Sequence, residues 1–298
     1  MSDLAGRLSN IRRVDILFMI PIELLLWGIA MAPFILAIYL SFTNWSPAVS
    51  ANPLDAKWVG LNNYIEILTN ARYIGSVLRT TLFAFSGVAI QVAVGVGLAL
   101  LFYYGVYARR VLSTIIIMPM MAPPLIVALM FYIMLFTKGP LNAFLSLITG
   151  QNIEIRWLSS QEIAPLSVIL ADSWMWTPLV FLISLSGLSL VPLDQIRAAR
   201  IAGASELRVI KDILLPYIKP FILISVIIRL LESFKLFDVP VFMTAGGPGV
   251  TTETLSIFLY KEGFLTLRTA YIAAGAVVVL LALSLATYFL TKSIYVRS

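Results

Sequence analysis

Four charged residues of alternating sign stand three positions apart in one mostly apolar stretch: Arg229, Glu232, Lys235 and Asp238. On a helix, residues three apart are neighbours, so each cation can meet a carboxylate. A charge at mid-membrane costs about 2.5–3.5 kcal/mol on insertion scales unless it finds a partner or water. The series therefore favours one of two roles. It lines a polar path through a membrane, or the cations only neutralise the carboxylates for structure.

Aromatic and hydrogen-bonding side chains around these charges would suit a polyhydroxylated solute. Sugars present flat C–H faces that stack on rings, while carboxylates and hydroxyls such as Thr177 bind their hydroxyl groups. Ordinary membrane packing or an interfacial aromatic belt would use the same residue types, so both interpretations stand. The candidate substrate path comprises Asp172, Trp174, Trp176, Glu232, Phe234, Phe237 and Asp238.

Histidine and cysteine are both absent from the 298 residues. Without histidine the chain lacks the commonest metal ligand and the usual general base near neutral pH. Without cysteine it can form no disulfide and no thiolate nucleophile. It also lacks a G-x-x-x-x-G-K sequence followed by Ser or Thr, the loop that cradles nucleotide phosphates. We therefore expect no enzymatic activity, no metal site and no cofactor in this chain, and any ATP must be bound by a partner.

The composition is that of an integral membrane protein. Apolar residues make up 60% of the chain and charged residues 12%, about half the share usual in soluble domains. The net charge of +6 would suggest nucleic acid as a partner of a soluble protein. In a membrane protein, an excess of lysine and arginine reports orientation instead. We expect lipid and no nucleic acid around this chain.

Six stretches approach the ~20 apolar residues that a spanning helix needs. They are Ile16–Leu40, Thr80–Tyr104, Val111–Phe136, Pro165–Leu188, Pro220–Met243 and Ala270–Leu290. Three prolines, Pro119, Pro123 and Pro124, predict an irregular third helix, and four charges predict an irregular fifth. The predicted fold is all-α and polytopic, a single transmembrane domain over residues 1–298.

The distribution of lysine and arginine predicts the orientation. Twelve of them fall in the N-terminus, the turn at 104–111, the loop at 189–219 and the C-terminal tail, against six in the longer loops of the other face. The richer face is the cytoplasmic one in most membrane proteins. Both termini and the 189–219 loop are therefore expected in the cytoplasm.

The 189–219 loop has the pattern of an amphipathic helical hairpin. Pro192 suits a helix start, Gly203 a bend and Ser205 a second cap. Leu207, Ile210, Ile213 and Leu214 then share one helical face until Pro216, which should end the helix. Such a hairpin fills a groove on a soluble partner, or it lies on anionic lipid.

The loop resembles the cytoplasmic loop of ABC importer permeases that docks on the ATPase. The resemblance lies in the spacing of Ala198-Ala199, Gly203, Ile213 and Leu215-Pro216 within RAARIAGASELRVIKDILLPYIKP. Four further stretches resemble the sugar-type permeases of carbohydrate uptake class 1. They are GLNNYIEIL (60–68), GPLNAFL (139–145), WMWTPLVFLISLSGLSLVP (174–192) and FKLFDVPVFMTAGGPGVTTETLSIFLYKEGF (234–264).

This resemblance implies an importer in the inner membrane built from several chains. Besides this permease it has a second permease, two cytoplasmic ATP-binding cassette subunits that bind ATP and magnesium, and an extracytoplasmic solute-binding protein. The solute would be a sugar, polyol or related molecule. The loop would be a coupling-helix hairpin, docking through Arg197, Ala198, Ala199, Gly203, Leu207, Ile210, Ile213, Leu215 and Pro216.

The loop departs from the family pattern at two positions. Arg197 and Ala202 stand where such permeases usually have Glu and Asp. The usual acidic contact with the ATPase therefore cannot be carried over to this chain, and Arg197 is expected to pair with Asp194 or with an acid on the ATPase.

Two rival functions remain. An ion-coupled secondary transporter would place its coupling on Glu232 and Asp238. Six helices without an evident inverted repeat are few for such folds, and the docking loop would be unexplained. A membrane scaffold without transport would need no charges inside the membrane.

Overall fold

A computed structural model of the protein describes the backbone of residues 2–295 and the side chains of residues 19–29 and 31–288. The described backbone consists of helices and loops, with one isolated β-bridge between Thr43 and Trp58. The helices are α1 Ser2–Ser41, α2 Asn62–Thr69, α3 Ala71–Tyr104, α4 Arg109–Met121, α5 Pro124–Leu135, α6 Pro140–Thr149, α7 Ile163–Ser189, α8 Leu193–Ile201, α9 Glu206–Val209, α10 Leu215–Ser233, α11 Asp238–Thr244, α12 Leu255–Tyr260 and α13 Thr269–Tyr295. Turns of π-helix occupy Ile210–Leu214 and Lys261–Leu265, and a short 3₁₀ turn occupies Pro53–Asp55.

Six helical stretches of the described chain are long and apolar enough to cross a membrane. They are Met19–Ser41, Ala71–Tyr104, Pro124–Thr149, Ile163–Ser189, Glu206–Ser233 and Thr269–Tyr288. The all-α fold class is thereby confirmed. Arg7, Arg12, Arg13, Lys292 and Arg297, which carry part of the orientation prediction, have side chains outside the described residues.

The third predicted helix is broken, as its prolines predicted, but its bounds were wrong. Helix α4 ends at Met121 and α5 begins at Pro124, where a missing N–H costs no helical hydrogen bond. Because α4 has 13 residues, it is too short to span a membrane by itself. The spanning stretch is instead α5 with α6, Pro124–Thr149.

Helix α3 begins at Ala71, nine residues before the predicted start at Thr80. The reason is that two arginines in its first turns are held by Glu253, whose side chain is fully buried. Arg72 donates two hydrogen bonds to the Glu253 carboxylate, at 2.7 and 2.8 Å, and Arg79 donates to the Glu253 backbone carbonyl at 2.9 Å. These contacts let charged residues extend an otherwise apolar helix.

The chain divides into two compact units, residues 71–258 with 283–298 and residues 1–70 with 259–282. In the first unit, α3 packs closely on α7. A Cβ at Gly95 would lie 2.9 Å from the Val180 side chain, so only glycine permits this approach. Two apolar cores follow from the packing. One surrounds Phe83, Phe131 and Met175, and the other surrounds Phe102, Phe181 and Leu214.

The second unit contains α1, α2 and the start of α13, joined through polar contacts. Asn63 lies in the first turn of α2, after the cap position Leu61. Its side-chain amide donates to the carbonyls of Ser41 (2.9 Å) and Thr43 (2.7 Å). Asn70 donates to the Tyr271 hydroxyl at 2.9 Å, and Arg268 pairs with Glu66.

Candidate functional site

A break in the fifth spanning helix brings the predicted charges to one place. Helix α10 ends at Ser233 and α11 begins at Asp238, so the fifth spanning helix is irregular, as its four charges predicted. The cause is Pro240, which has no N–H to bond the carbonyl of Leu236. That carbonyl accepts a hydrogen bond from the Thr254 hydroxyl at 2.7 Å instead. The carbonyl freed by the break therefore finds its hydrogen bond within the protein, as it must inside a membrane.

Arg229 and Asp172 form a buried ion pair that joins α10 to α7. Their side chains are 1% and 7% exposed, and Arg229 Nη2 lies 3.1 Å from Asp172 Oδ2. Gln91 of α3 completes the cluster, because it accepts from Arg229 Nε at 2.9 Å and donates to Asp172 Oδ2 at 3.0 Å. The guanidinium also reaches Ser233 Oγ at 3.3 Å and lies 4.6 Å from the Trp176 ring centre. We call Arg229, Asp172 and Gln91 the buried triad.

A cavity of about 120 Å³ lies between the buried triad and the helix break. Five of the seven predicted path residues line it: Asp172, Trp176, Glu232, Phe237 and Asp238. The other two do not. Trp174 lines a separate apolar groove of about 390 Å³ between α3, α4 and α7 and meets Phe131 edge-on at 5.6 Å, while Phe234 is a half-buried residue at the end of α10. The wall thus combines two aromatic rings with carboxylates, a pattern that suits hydroxyl groups.

Sequence reasoning missed two participants in this site. Arg229 was placed in the charge series but not on the path, and Gln91 was not considered, although both belong to the buried triad. Gln91 could have been identified from the sequence, because it is the one amide in the long apolar run of α3. A polar side chain inside a spanning helix needs a partner there.

The 189–219 loop forms the expected hairpin. Helix α8 begins after Pro192, and Gly203 ends the hairpin's first arm with φ +82°, a conformation that L residues resist. The Ala204 N–H returns to the Ala199 carbonyl at 3.0 Å, which is the pattern of a Schellman C-cap. Ser205 then caps the second arm by accepting from the Arg208 N–H at 3.4 Å.

Pro216 does not end the second arm, contrary to prediction. The π turn Ile210–Leu214 carries the helix from α9 into α10, with the Leu215 N–H bonded to the Ile210 carbonyl. Pro216 falls in the first turn after it, where its lack of an N–H is tolerated. Glu206–Ser233 is therefore one continuous helix from the hairpin to the buried triad.

The hairpin's apolar stripe packs on its own helix bundle. Val209 and Leu214 are fully buried in the second core, and Ile210, Ile213 and Leu215 are partly buried against it, as is Ala199. Of the predicted docking residues, Arg197, Ala198, Gly203, Leu207 and Pro216 are exposed. Two large apolar side chains flank the bend in solvent, Leu207 (79% exposed) and Ile201 (89% exposed), and the latter was not predicted.

Two of the three acids in the 189–219 loop, Asp194 and Glu206, are paired within the chain. Arg197 lies 3.4 Å from Asp194, one of the two partners expected for it. Arg200 Nε lies 2.8 Å from Glu206 Oε1, and this contact raises the pKa of Arg200 above its ordinary value. The surface left for a partner is basic and apolar.

Comparison with known proteins agrees with this architecture. The family model described as "Binding-protein-dependent transport system inner membrane component" matches residues 91–296. A probable ABC transporter permease of Sinorhizobium fredii is 32% identical over 268 residues, covering 88% of this chain and 84% of that protein. The trehalose/maltose transport system permease MalF of Thermococcus litoralis is 31% identical over 208 residues, 70% of each chain.

The fold is also that of a solved transporter. A permease chain from a bacterial ABC transporter that imports the acidic polysaccharide alginate matches with a TM-score of 0.75, at 19% identity over 95% of this chain and 98% of that one. The matched family region contains α7, the hairpin and the whole fifth spanning helix. This chain therefore belongs to the family of inner membrane components of binding-protein-dependent transport systems, the permeases of ABC importers.

Proposed function

We propose that this chain and a second permease form the membrane path for a sugar, polyol or related solute. The solute is delivered by an extracytoplasmic solute-binding protein. Two ATP-binding cassette subunits bind ATP and magnesium and drive the cycle, while this chain binds neither. Support for a sugar comes from the relative whose name assigns it trehalose and maltose, and from the pairing of aromatic rings with carboxylates in the cavity wall.

The observation that carries this proposal is the continuous helix Glu206–Ser233. At one end it contributes the second arm of the exposed hairpin, and at the other it holds Arg229 and Ser233 beside the cavity. At 1.5 Å per residue, 28 helical residues span about 40 Å, enough to cross a bilayer. A displacement of the hairpin therefore reaches the cavity through one rigid element.

The proposed cycle uses that element as a lever. ATP closes the two ATPases, and their grooves draw the hairpin with them. The spanning helices then move as rigid bodies and open the cavity toward the solute-binding protein. Hydrolysis releases the hairpin and returns the cavity to the cytoplasm. In this scheme the hairpin and both termini lie in the cytoplasm, in agreement with the excess of lysine and arginine on that face.

The docking contact is proposed for the exposed side of the hairpin. Leu207 and Ile201 provide two anchors on either side of the Gly203 bend, and Arg197 and Ala198 extend the surface along α8. Ala199, Ile210, Ile213 and Leu215 support this surface from behind, since they pack on the second core. An apolar groove on the ATPase would bury the two anchors first.

Ion-coupled transport through Glu232 and Asp238 is the less favoured alternative. Membership in a family of binding-protein-dependent systems supports ATP as the energy source. In addition, the structure pairs Glu232 with Lys235 at 2.8 Å.

Reconstitution tests the proposal directly. Proteoliposomes containing this chain, the second permease and the ATPase, supplied with the solute-binding protein, should accumulate labelled maltose or trehalose only with ATP inside. The control is the same complex with an ATPase that binds but does not hydrolyse ATP. Uptake that follows an ion gradient and ignores ATP would favour the secondary transporter instead.

A further inference from the structure

The charges around the cavity do not cancel. Its wall contains two cations, Arg229 and Lys235, and three carboxylates, Asp172, Glu232 and Asp238. At neutral pH these five side chains leave one net negative charge in a small space. Which carboxylate remains uncompensated follows from the ion pairs.

Four of the five charges are matched in pairs. Arg229 is committed to Asp172 at 3.1 Å, and Gln91 fixes both partners. Lys235 is committed to Glu232 at 2.8 Å, three residues away on the same helix. In the structure, neither cation contacts a third carboxylate of the cavity wall.

Asp238 is the carboxylate that remains. Among the side chains that the structure describes, none forms an ion pair or hydrogen bond with the Asp238 carboxylate. The residue is half-buried, begins α11 directly after the helix break, and lines the cavity together with Trp176 and Phe237. An ionised carboxylate only accepts hydrogen bonds, so its complement is a ligand group that donates them.

We infer that this cavity selects sugars by charge, accepting neutral and amino sugars and rejecting acidic ones such as uronates. The inference rests on the proposed function and concerns the same cavity. Hydroxyl and ammonium groups donate to Asp238, whereas a second carboxylate a few ångströms away meets repulsion that the low dielectric of a membrane site strengthens. The buried triad contributes no charge to this choice, since its guanidinium and carboxylate offset each other.

The test uses the assembled complex of both permeases and the ATPase in nanodiscs, without the solute-binding protein, so that only the permease path selects. Saturation-transfer NMR with methyl glucoside, glucosamine and glucuronate compares three probes that share one ring and differ in charge. We expect glucuronate to give a signal on the order of tenfold weaker than methyl glucoside. Asp238→Asn should bring the two within about threefold, and Asp238→Glu, the matched control, should keep the difference.

Each other result overturns the inference. Equal signals from glucuronate and methyl glucoside in the wild type would mean that a group of the second permease neutralises Asp238. A difference that survives Asp238→Asn would place the selecting charge elsewhere. If none of the three probes gives a saturation-transfer signal, the solute does not bind in this cavity. ATP-driven uptake in proteoliposomes would then show whether the importer proposal still holds.

Discussion

Replacing Arg229 by methionine would leave the Asp172 carboxylate buried without its cation. Both side chains are almost fully buried, so solvent screens little of their interaction. Removing one partner of such a pair costs about 3–5 kcal/mol of folding free energy, because an uncompensated charge remains in a low dielectric. Asp172→Leu should cost a similar amount of folding free energy, since it leaves the Arg229 guanidinium buried without its carboxylate partner.

The double variant Arg229→Met with Asp172→Leu should be more stable than either single variant. Exchanging a whole buried pair for apolar residues is often neutral or stabilising. Here the exchange also strips Gln91 of both side-chain partners, which costs about 1–3 kcal/mol. The coupling energy between the two substitutions should therefore exceed about 3 kcal/mol, far above the 0.5 kcal/mol expected of independent sites.

Unfolding of the purified chain in detergent micelles by added SDS, followed by tryptophan fluorescence, measures these differences. Arg229→Lys is the informative control, because it keeps the charge and loses the fork that reaches both Gln91 and Asp172. It should fall between wild type and Arg229→Met. A double variant as unstable as the sum of the single ones would refute charge compensation as the basis of the triad.

The hairpin and the missing nucleotide loop give three further predictions. Gly203→Glu should abolish uptake and release the ATPase in a detergent pull-down. Gly203→Ala adds the same positive-φ strain without the bulk, so this variant should retain most of the uptake and most of the bound ATPase. Retention of the ATPase by Gly203→Glu would disprove docking at the bend. Arg197→Ala should reduce uptake a few-fold at most, because its pair with Asp194 is largely exposed. The isolated chain should bind no labelled ATP at micromolar concentration; measurable binding would contradict the importer mechanism.

Gly203 shows how the structure changes the reason for a prediction. The sequence suggested that a bulky side chain there would clash with either the turn or the groove of the ATPase. In the structure, nothing lies within 4 Å of a Cβ built at Gly203, so the turn has room for one. What remains is the backbone strain at φ +82° and the position of the new side chain on the open side of the bend. A bulky residue would therefore obstruct the partner, not the hairpin.

Local features were readable from the sequence, and long-range ones were not. Runs of apolar residues predicted the spans, and Pro123 and Pro124 predicted a break that exists. Pro240 carried the same signal for the fifth helix but was overlooked. The buried triad could not be predicted, because Gln91 and Arg229 lie 138 residues apart and meet only through the packing of α3 against α7 and α10.

The burial of the hairpin's apolar stripe also depends on tertiary packing, which the sequence did not reveal. Helical spacing predicted that Leu207, Ile210, Ile213 and Leu214 share one face, but spacing cannot say which surface such a stripe contacts. Most of the stripe packs on the second core, whereas Leu207 remains exposed. The exposed Ile201 lay in the other arm, where no periodic pattern marked it.

The π turn at Ile210–Leu214 has a consequence for the angular register of the long helix. The buried positions along it are Val209, Leu214, Ile218, Ser225, Arg229 and Ser233. Steps of four and seven keep the later positions on one face, but the step from Val209 to Leu214 is five. A π-helix bonds residues five apart, so this turn absorbs the extra residue. Wound as regular α-helix, the same residues would rotate Val209 by about 100° relative to Arg229. One additional residue thus aligns the faces at the two ends of the helix, and its deletion or duplication would disturb their phase without altering a single contact residue.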